Sequence, residues 1–294
     1  MNIPASITSF HADSLPFVET QVNYAGTIEG RALFDAVDQA NTNVAFLPAT
    51  VRMHDVRDAC DRFNLDNNGF AFVRHTSSVA DLPEIREQNL TLQSAKNALN
   101  DIYQNEVGAF LLELTGAREI LVQINGMLVR TSKRAKRQSW APPAAFVHMD
   151  FTENSAHKFL NWSLDAAGQT VKPYSRFMIL QTWRAISPGP QDSTLAICDG
   201  RTATTTDAVV MDSVIGPKEL PGSFFESRLC VANPSHRWYF LSNMEADDLL
   251  VFKGFDSATP NSMNAMHTAF ENTLLGENGI PRVSIEARFF AFFD

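Results

Sequence analysis

The tripeptide His148-Met149-Asp150 follows the apolar run Ala145-Phe146-Val147. In an extended strand, residues i and i+2 project to the same side. An imidazole and a carboxylate would therefore leave one strand end together. One further histidine would complete a two-histidine, one-carboxylate facial triad. That donor set suits iron(II) and leaves coordination positions open for oxygen and a second substrate. On its own an HxD tripeptide is also what a surface pair or a hydrogen-bonded core histidine looks like, so its weight depends on what lies downstream.

Three histidines could supply the third ligand. His157 lies only seven residues after Asp150, in the following loop or helix, and ranks last. His236 sits in Asn233-Pro-Ser-His-Arg-Trp-Tyr-Phe240, with Arg282 a further 46 residues on. His267 precedes Arg282 by 15 residues, room for one strand, a connection and the next strand. His267 is preferred on that spacing, with His236 as the alternative. His11, His54 and His75 lie in the first half and read as structural.

The last strand carries a second signal. Arg282, Ser284, Glu286 and Arg288 alternate with Val283, Ile285 and Ala287, so four polar groups share one face. On an interior face they need partners, because unpaired buried charge is costly. An Arg-x-Ser pair suits a dicarboxylate: the guanidinium grips a carboxylate in two-pronged fashion and the hydroxyl adds a donor. The plainer possibility is a solvent-facing barrel edge with its own salt bridge.

The elements that must position these groups are mostly strands. Residues 15–30 and 43–49 read as short strands, and Asn67-Asn68-Gly69 as a turn ahead of the strand Phe70–Arg74. A helix spans about 91–115, with Leu99, Ile102, Tyr103, Val107, Phe110, Leu111 and Leu114 on one face and Gly116 to stop it. Glu119–Asn125 follows as a buried strand. Residues 130–137 hold five basic residues in eight. They read as a solvated loop, or as a rim that attracts an anionic substrate. Trp140-Ala-Pro-Pro143 breaks any helix.

After it come strand-like runs at Ala145–Phe151, Arg176–Ile186, Thr194–Asp199, Phe224–Ala232, Arg237–Leu241, Asp248–Phe255 and Arg282–Phe293, with one short helix near Ser155–Asp165. This pattern predicts a mainly β fold with flanking helices and a jelly-roll core. Residues 1–140 form an α/β segment packed on the core and 141–294 the jelly roll itself, as one integrated domain.

Composition narrows the function. The 24 basic and 33 acidic residues give a net charge of −9, which disfavours sequence-independent nucleic-acid binding. Cys60, Cys198 and Cys230 form no CxxC pair, so neither a disulfide framework nor a thiolate zinc site is expected. No signal-peptide pattern or membrane-length apolar run occurs, which predicts a cytoplasmic protein without membrane association. GxSxG, Walker, GxGxxG and HExxH motifs are absent from the sequence.

The motif order resembles the iron(II)- and 2-oxoglutarate-dependent hydroxylase/desaturase family of the aspergillic-acid, gibberellin and cephamycin type. The residues that carry it are Val147-His-Met-Asp150, Thr182-Trp-Arg184, Leu195-Ala-Ile-Cys-Asp199, Asn233–Phe240, Asp248–Ser257, His267-Thr-Ala-Phe270 and Arg282–Arg288, with Asn68–His75 and Leu114–Ala117 earlier. The resemblance runs from about residue 20 to the end. The sequence departs from the family at Asn125-Gly-Met-Leu-Val-Arg130, where a histidine is expected, at Ala185 in place of proline, and at the Arg-Val-Ser middle residue.

The resemblance implies a jelly-roll oxygenase with His148, Asp150 and His267 on iron(II), and 2-oxoglutarate on Arg282 and Ser284. Oxygen would be the second co-substrate, succinate and CO2 the by-products, and a small biosynthetic intermediate the substrate. Trp183, Arg184, Arg288 and His236 would lie in or near the pocket, with Arg288 or Arg184 as the alternative co-substrate arginine. The competing expectations are an inactive jelly-roll binding or heterodimer partner, and a cupin-like metalloenzyme that does not use 2-oxoglutarate. Homo-oligomerisation stays open.

Overall fold

The computed structural model describes residues 14–86, 98–136, 138–139, 143–170, 173–263 and 266–294. In chain order the strands are β1 (Phe17–Ala25), β2 (Ala32–Asp35), β3 (Phe46–Asp55), β4 (Phe70–Arg74), β5 (Glu119–Thr131), β6 (His148–Met149), β7 (Arg176–Ala185), β8 (Ser193–Cys198), β9 (Ala208–Val214), β10 (Phe224–Cys230), β11 (Trp238–Phe240), β12 (Asp248–Asp256), β13 (His267–Glu271) and β14 (Val283–Phe293). The helices are α1 (Pro83–Arg86), α2 (Ala98–Thr115) and α3 (Glu153–Ala166).

The strands form two sheets. One runs β1-β3-β11-β8-β13-β6-β10-β9-β2 and the other β4-β12-β7-β14-β5. Most pairings are antiparallel; β11 with β3 and β2 with β9 are parallel. The sheets face each other, since Trp183, Leu250 and Phe252 of the smaller pack with Leu195, Ile197 and Tyr239 of the larger. This is the double-stranded β-helix, or jelly roll, expected from the strand pattern. The first 140 residues supply β1–β3 to the larger sheet and β4 and β5 to the smaller.

Amphipathic patterning explains where the helices sit. Tyr103, Val107 and Leu111 of α2 are fully buried against Leu180, Ile285 and Phe289 on the outer face of the smaller sheet. Gly116 ends α2 at φ +66°, and its N–H donates to Leu112 O at 3.1 Å. Residues 91–97 and 140–142, read above as helix and as helix breaker, lie outside the described residues. Helix α3 starts from a reciprocal cap, with the Thr152 side chain accepting from Ser155 N–H and the Ser155 side chain from Thr152 N–H. Its Phe159, Leu160 and Leu164 close one end of the sandwich against Phe177, Ile179 and Phe290.

The structure corrects several boundaries. Strand β5 runs on to Thr131, past the Asn125 expected as its end. Gly126, just past that expected end, takes φ +62°, and the β5–β14 register shifts near it in a bulge while pairing continues. Strands β2, β9 and β13 were not read as separate elements. They are short, and Val209 and Val210 of β9 are exposed, so they lack the alternation that marks a strand.

Phe289 stands for the α2 contact. Phe289→Ala is expected to destabilise the fold by about 3–5 kcal/mol in urea unfolding. A change below about 1 kcal/mol would show that the outer face of the smaller sheet does not depend on it.

Candidate metal centre

Strand β6 is only two residues long, but it lies between β10 and β13. His148 pairs in register with Leu229 on one side and with His267 on the other. The two imidazoles therefore arise from directly opposed strand positions, with ring centroids 4.2 Å apart. Asp150 follows two residues later on the same side. One donor atom from each of His148, Asp150 and His267 lies within 4.8 Å of the others. The spacing preference for His267 is thus matched by a shared strand register.

Local bonds set the donor atoms. His148 Nδ1–H donates to Phe146 O at 2.8 Å, which leaves Nε2 as the free lone pair, 3.5 Å from Asp150 Oδ1. Asp150 Oδ2 accepts from Arg288 Nε at 3.1 Å, Arg288 Nη2 at 2.7 Å and Gln181 Nε2 at 2.7 Å. Burial alone would raise the Asp150 carboxyl; the Arg288 guanidinium and the neighbouring imidazoles outweigh it and hold the group well below the usual carboxylate range.

The inward row of β14 continues from there. Arg288 Nη1 lies 3.2 Å from Glu286 Oε1. Glu286 in turn accepts from Arg130 Nε and Nη2, both at 2.9 Å. Burial pushes the Glu286 carboxyl up, but Arg130 and Arg288 bring it down to about 2. Arg130, the first residue of the basic stretch, is therefore turned into the sandwich and is not part of a solvated rim. Lys133 and Arg134 line a groove of about 680 Å³ beside β1 and β13, and Arg134 donates to Gly276 O and Glu277 O.

Arg282, 1% exposed, is paired differently. Its backbone N–H donates to Asp192 Oδ1 at 2.9 Å, but its Nε and Nη1 have no hydrogen-bond partner among the described residues. Its guanidinium lies 5.6 Å from the Trp183 ring centroid. Burial first, and the Arg130 charge second, bring its pKa down to about 10. Ser284, also 1% exposed, donates weakly to Arg130 O at 3.4 Å. Trp183, Glu286, Arg288, Gln181 and His267 line a small cavity of about 20 Å³ beside the donor cluster.

The other expected pocket residues lie elsewhere or are already engaged. Trp183 faces inward, so its neighbour Arg184 faces out. Arg184 donates to Ala246 O at 2.7 Å, His75 O at 3.1 Å and His75 Nδ1 at 2.7 Å, and it lies over the Tyr103 ring under α2. It is corrected from pocket to scaffold. His236 is corrected likewise: its Nδ1 meets Tyr24 Oη at 3.1 Å and its Nε2 meets Asp207 Oδ2 at 3.3 Å, away from the three converging donors. His157 packs on Phe177 from α3. Arg288 is inside the site, but two carboxylates already occupy its guanidinium. Gln181 was missed. Its signal was a single amide in the inward row Phe177, Ile179, Gln181, Trp183.

Comparisons with known proteins agree with this architecture. The chain is 26% identical over 254 residues to the Fe(II)/2-oxoglutarate-dependent dioxygenase nvfI of Aspergillus novofumigatus, covering 86% of this chain and 87% of that one. It is 26% identical over 297 residues to the hydroxylase/desaturase efuI of Hormonema carpetanum, with 95% and 96% coverage. It is 25% identical over 305 residues to the gibberellin cluster GA4 desaturase of Gibberella fujikuroi, with 83% and 86% coverage. Among solved structures, the iron and alpha-ketoglutarate-dependent endoperoxidase NvfI superposes with a TM-score of 0.76 at 24% identity, over 94% of this chain and 98% of that one. A family model described as the oxidoreductase/YMDC permease-like domain matches residues 22–292, nearly the whole chain, and the protein belongs to that family.

Proposed function

We propose that the protein is a non-haem iron(II)- and 2-oxoglutarate-dependent oxygenase that hydroxylates or desaturates a small natural-product-type molecule, with release of succinate and CO2. One observation carries this reading: three convergent donors, His148, Asp150 and His267, share an interior with a buried arginine, Arg282, whose Nε and Nη1 have no hydrogen-bond partner among the described residues. Two imidazoles and one carboxylate on one side of a metal ion fit iron(II) and leave the opposite positions open. When bound, the iron supplies oxygen activation and oxidation of an unreactive C–H bond.

The chain's own residues do the rest. His148 is held in one tautomer by the Phe146 carbonyl, and Asp150 is held ionised by Arg288. Arg282 stays protonated at neutral pH, and its Nε and Nη1, without a hydrogen-bond partner among the described residues, suit an anionic acceptor. A dicarboxylate reaching from the donor cluster to Arg282 and Ser284 meets that need. The Trp183 ring packs against the Arg282 guanidinium and lines the small cavity beside His267. A metalloenzyme that does not use 2-oxoglutarate would have its Arg282–Ser284 face in solvent; the burial of both argues against that reading. Three intact convergent donors argue against an inactive partner.

The similar proteins carry the names dioxygenase, hydroxylase/desaturase and endoperoxidase, and for this chain the choice between such outcomes would depend on how the substrate is held. Among the described residues no helix is long and apolar enough to cross a membrane, and a cytoplasmic location is part of the proposal.

Anaerobic protein with iron(II) and 2-oxoglutarate should show a weak visible charge-transfer band. His148→Ala should abolish the band, and Arg282→Ala should weaken 2-oxoglutarate binding at least tenfold while the protein still binds metal. A wild type without the band would overturn the mechanism. Metal should also stabilise the fold: at a hundredfold excess over its dissociation constant the gain is about 2.7 kcal/mol. In thermal melts that gain should disappear in Asp150→Ala.

A further inference from the structure

We propose that Arg288 and Gln181 are positioning residues that make Asp150 a one-oxygen metal ligand, with Oδ1 as its only metal-facing atom. This rests on the metal-binding reading above and extends it to residues outside the donor set.

A carboxylate oxygen offers two lone-pair directions. Asp150 Oδ2 receives three N–H groups, from Arg288 Nε, Arg288 Nη2 and Gln181 Nε2. It has no capacity left for a cation. Oδ1 accepts none of these donors and is the oxygen nearest His148 Nε2, at 3.5 Å. The carboxylate cannot turn without breaking bonds to a charged donor, which are the strong ones.

The clamp is itself held. The β7–β14 register places Gln181 directly opposite Arg288, so both donors arrive from one cross-strand pair. Glu286 holds the far side of the Arg288 guanidinium, and Arg130 holds Glu286 through two bonds. Gly254 lies where the β12–β7 register shifts between Lys253 and Phe255. A Cβ there would stand 2.5 Å from Gln181 Oε1 and 3.0 Å from Phe151 Cδ2. Only glycine leaves room for Gln181 in this pose. Gln181 Oε1 has no hydrogen-bond partner among the described residues, and turning the amide over would set that oxygen against Asp150 Oδ2. The amide orientation is therefore dictated by the carboxylate.

Two consequences follow for the donor set. Asp150 spends one coordination position on the metal, which preserves the sites needed by a two-pronged keto acid and oxygen. Arg288 also balances the charge of the only anionic ligand, so a bound divalent cation keeps more of its charge toward an anionic co-substrate.

The test uses cobalt(II), which reports coordination through its visible d–d spectrum. Calorimetry and spectra are recorded on the full chain without co-substrate. Arg288→Gln is expected to weaken cobalt binding by about 10–100-fold and to change the d–d bands, because Oδ2 becomes free. Arg288→Lys, which restores charge but not the fork, should recover part of the affinity and not the wild-type spectrum. Gln181→Met and Gly254→Ala should each give a smaller spectral change in the same direction. If Arg288→Gln fails to fold, Gln181→Met carries the same comparison, since it removes a neutral group. A folded variant with wild-type affinity and spectrum overturns the positioning role and leaves the metal site standing. A wild type that does not bind cobalt overturns the metal reading itself.

Discussion

Charges enclosed between two sheets must be neutralised from within, and this constraint organises the site. Taking an ion out of water costs several kcal/mol even after relaxation. The inward face of β14 carries Glu286 and Arg288, with Arg282 just ahead of the strand and Ser284 between. Arg130, Glu286, Arg288 and Asp150 alternate in sign along a hydrogen-bonded chain. The chain crosses from β5 to β14 and on to the residue after β6. It therefore ties the smaller sheet to the larger at the point where the donors meet. Arg282 stands outside this alternation, and that difference separates a charge that holds the fold from one suited to a ligand.

Much of this was legible in the sequence because strand periodicity is two. The alternation from Arg282 to Arg288 placed four polar groups on one face, and His148 and Asp150 on another, before any pairing was known. His267 followed from spacing. What periodicity could not give was phase where both faces are buried. In β7 the outward residues Met178 and Leu180 are as apolar as the inward Phe177 and Ile179. Whether Trp183 or Arg184 faced the pocket was then undetermined, and Arg184 proved to serve α2. His236 was misleading for a related reason: a buried histidine flanked by aromatic residues looks the same whether its partner is a metal or Asp207.

The missed features depend on register across strands, which local patterns do not encode. Gln181 matters because β14 sets Arg288 opposite it, and Gly254 matters because a third strand passes close by. Gly126 shows the converse. A glycine at the expected strand end lets the strand bulge and continue to Arg130, without which the charge chain would stop at Glu286.

The position of β1 bears on how the protein is made. It is the first of the described strands in chain order, yet it pairs through β3 with β11 and reaches the segment before β6 through Asn23, and Thr20 bonds Glu271 across a separation of 251 residues. Strand β6 likewise waits for β10 and β13, both downstream. Contacts this distant in sequence form slowly, because loop closure precedes the gain from pairing. The three donors thus meet only once β10 and the His267 strand β13, both downstream of His148, are in place. A nascent chain offers histidines and acids to any passing cation but no assembled site. A discriminating metal site therefore belongs to the assembled fold and not to any local segment of the chain.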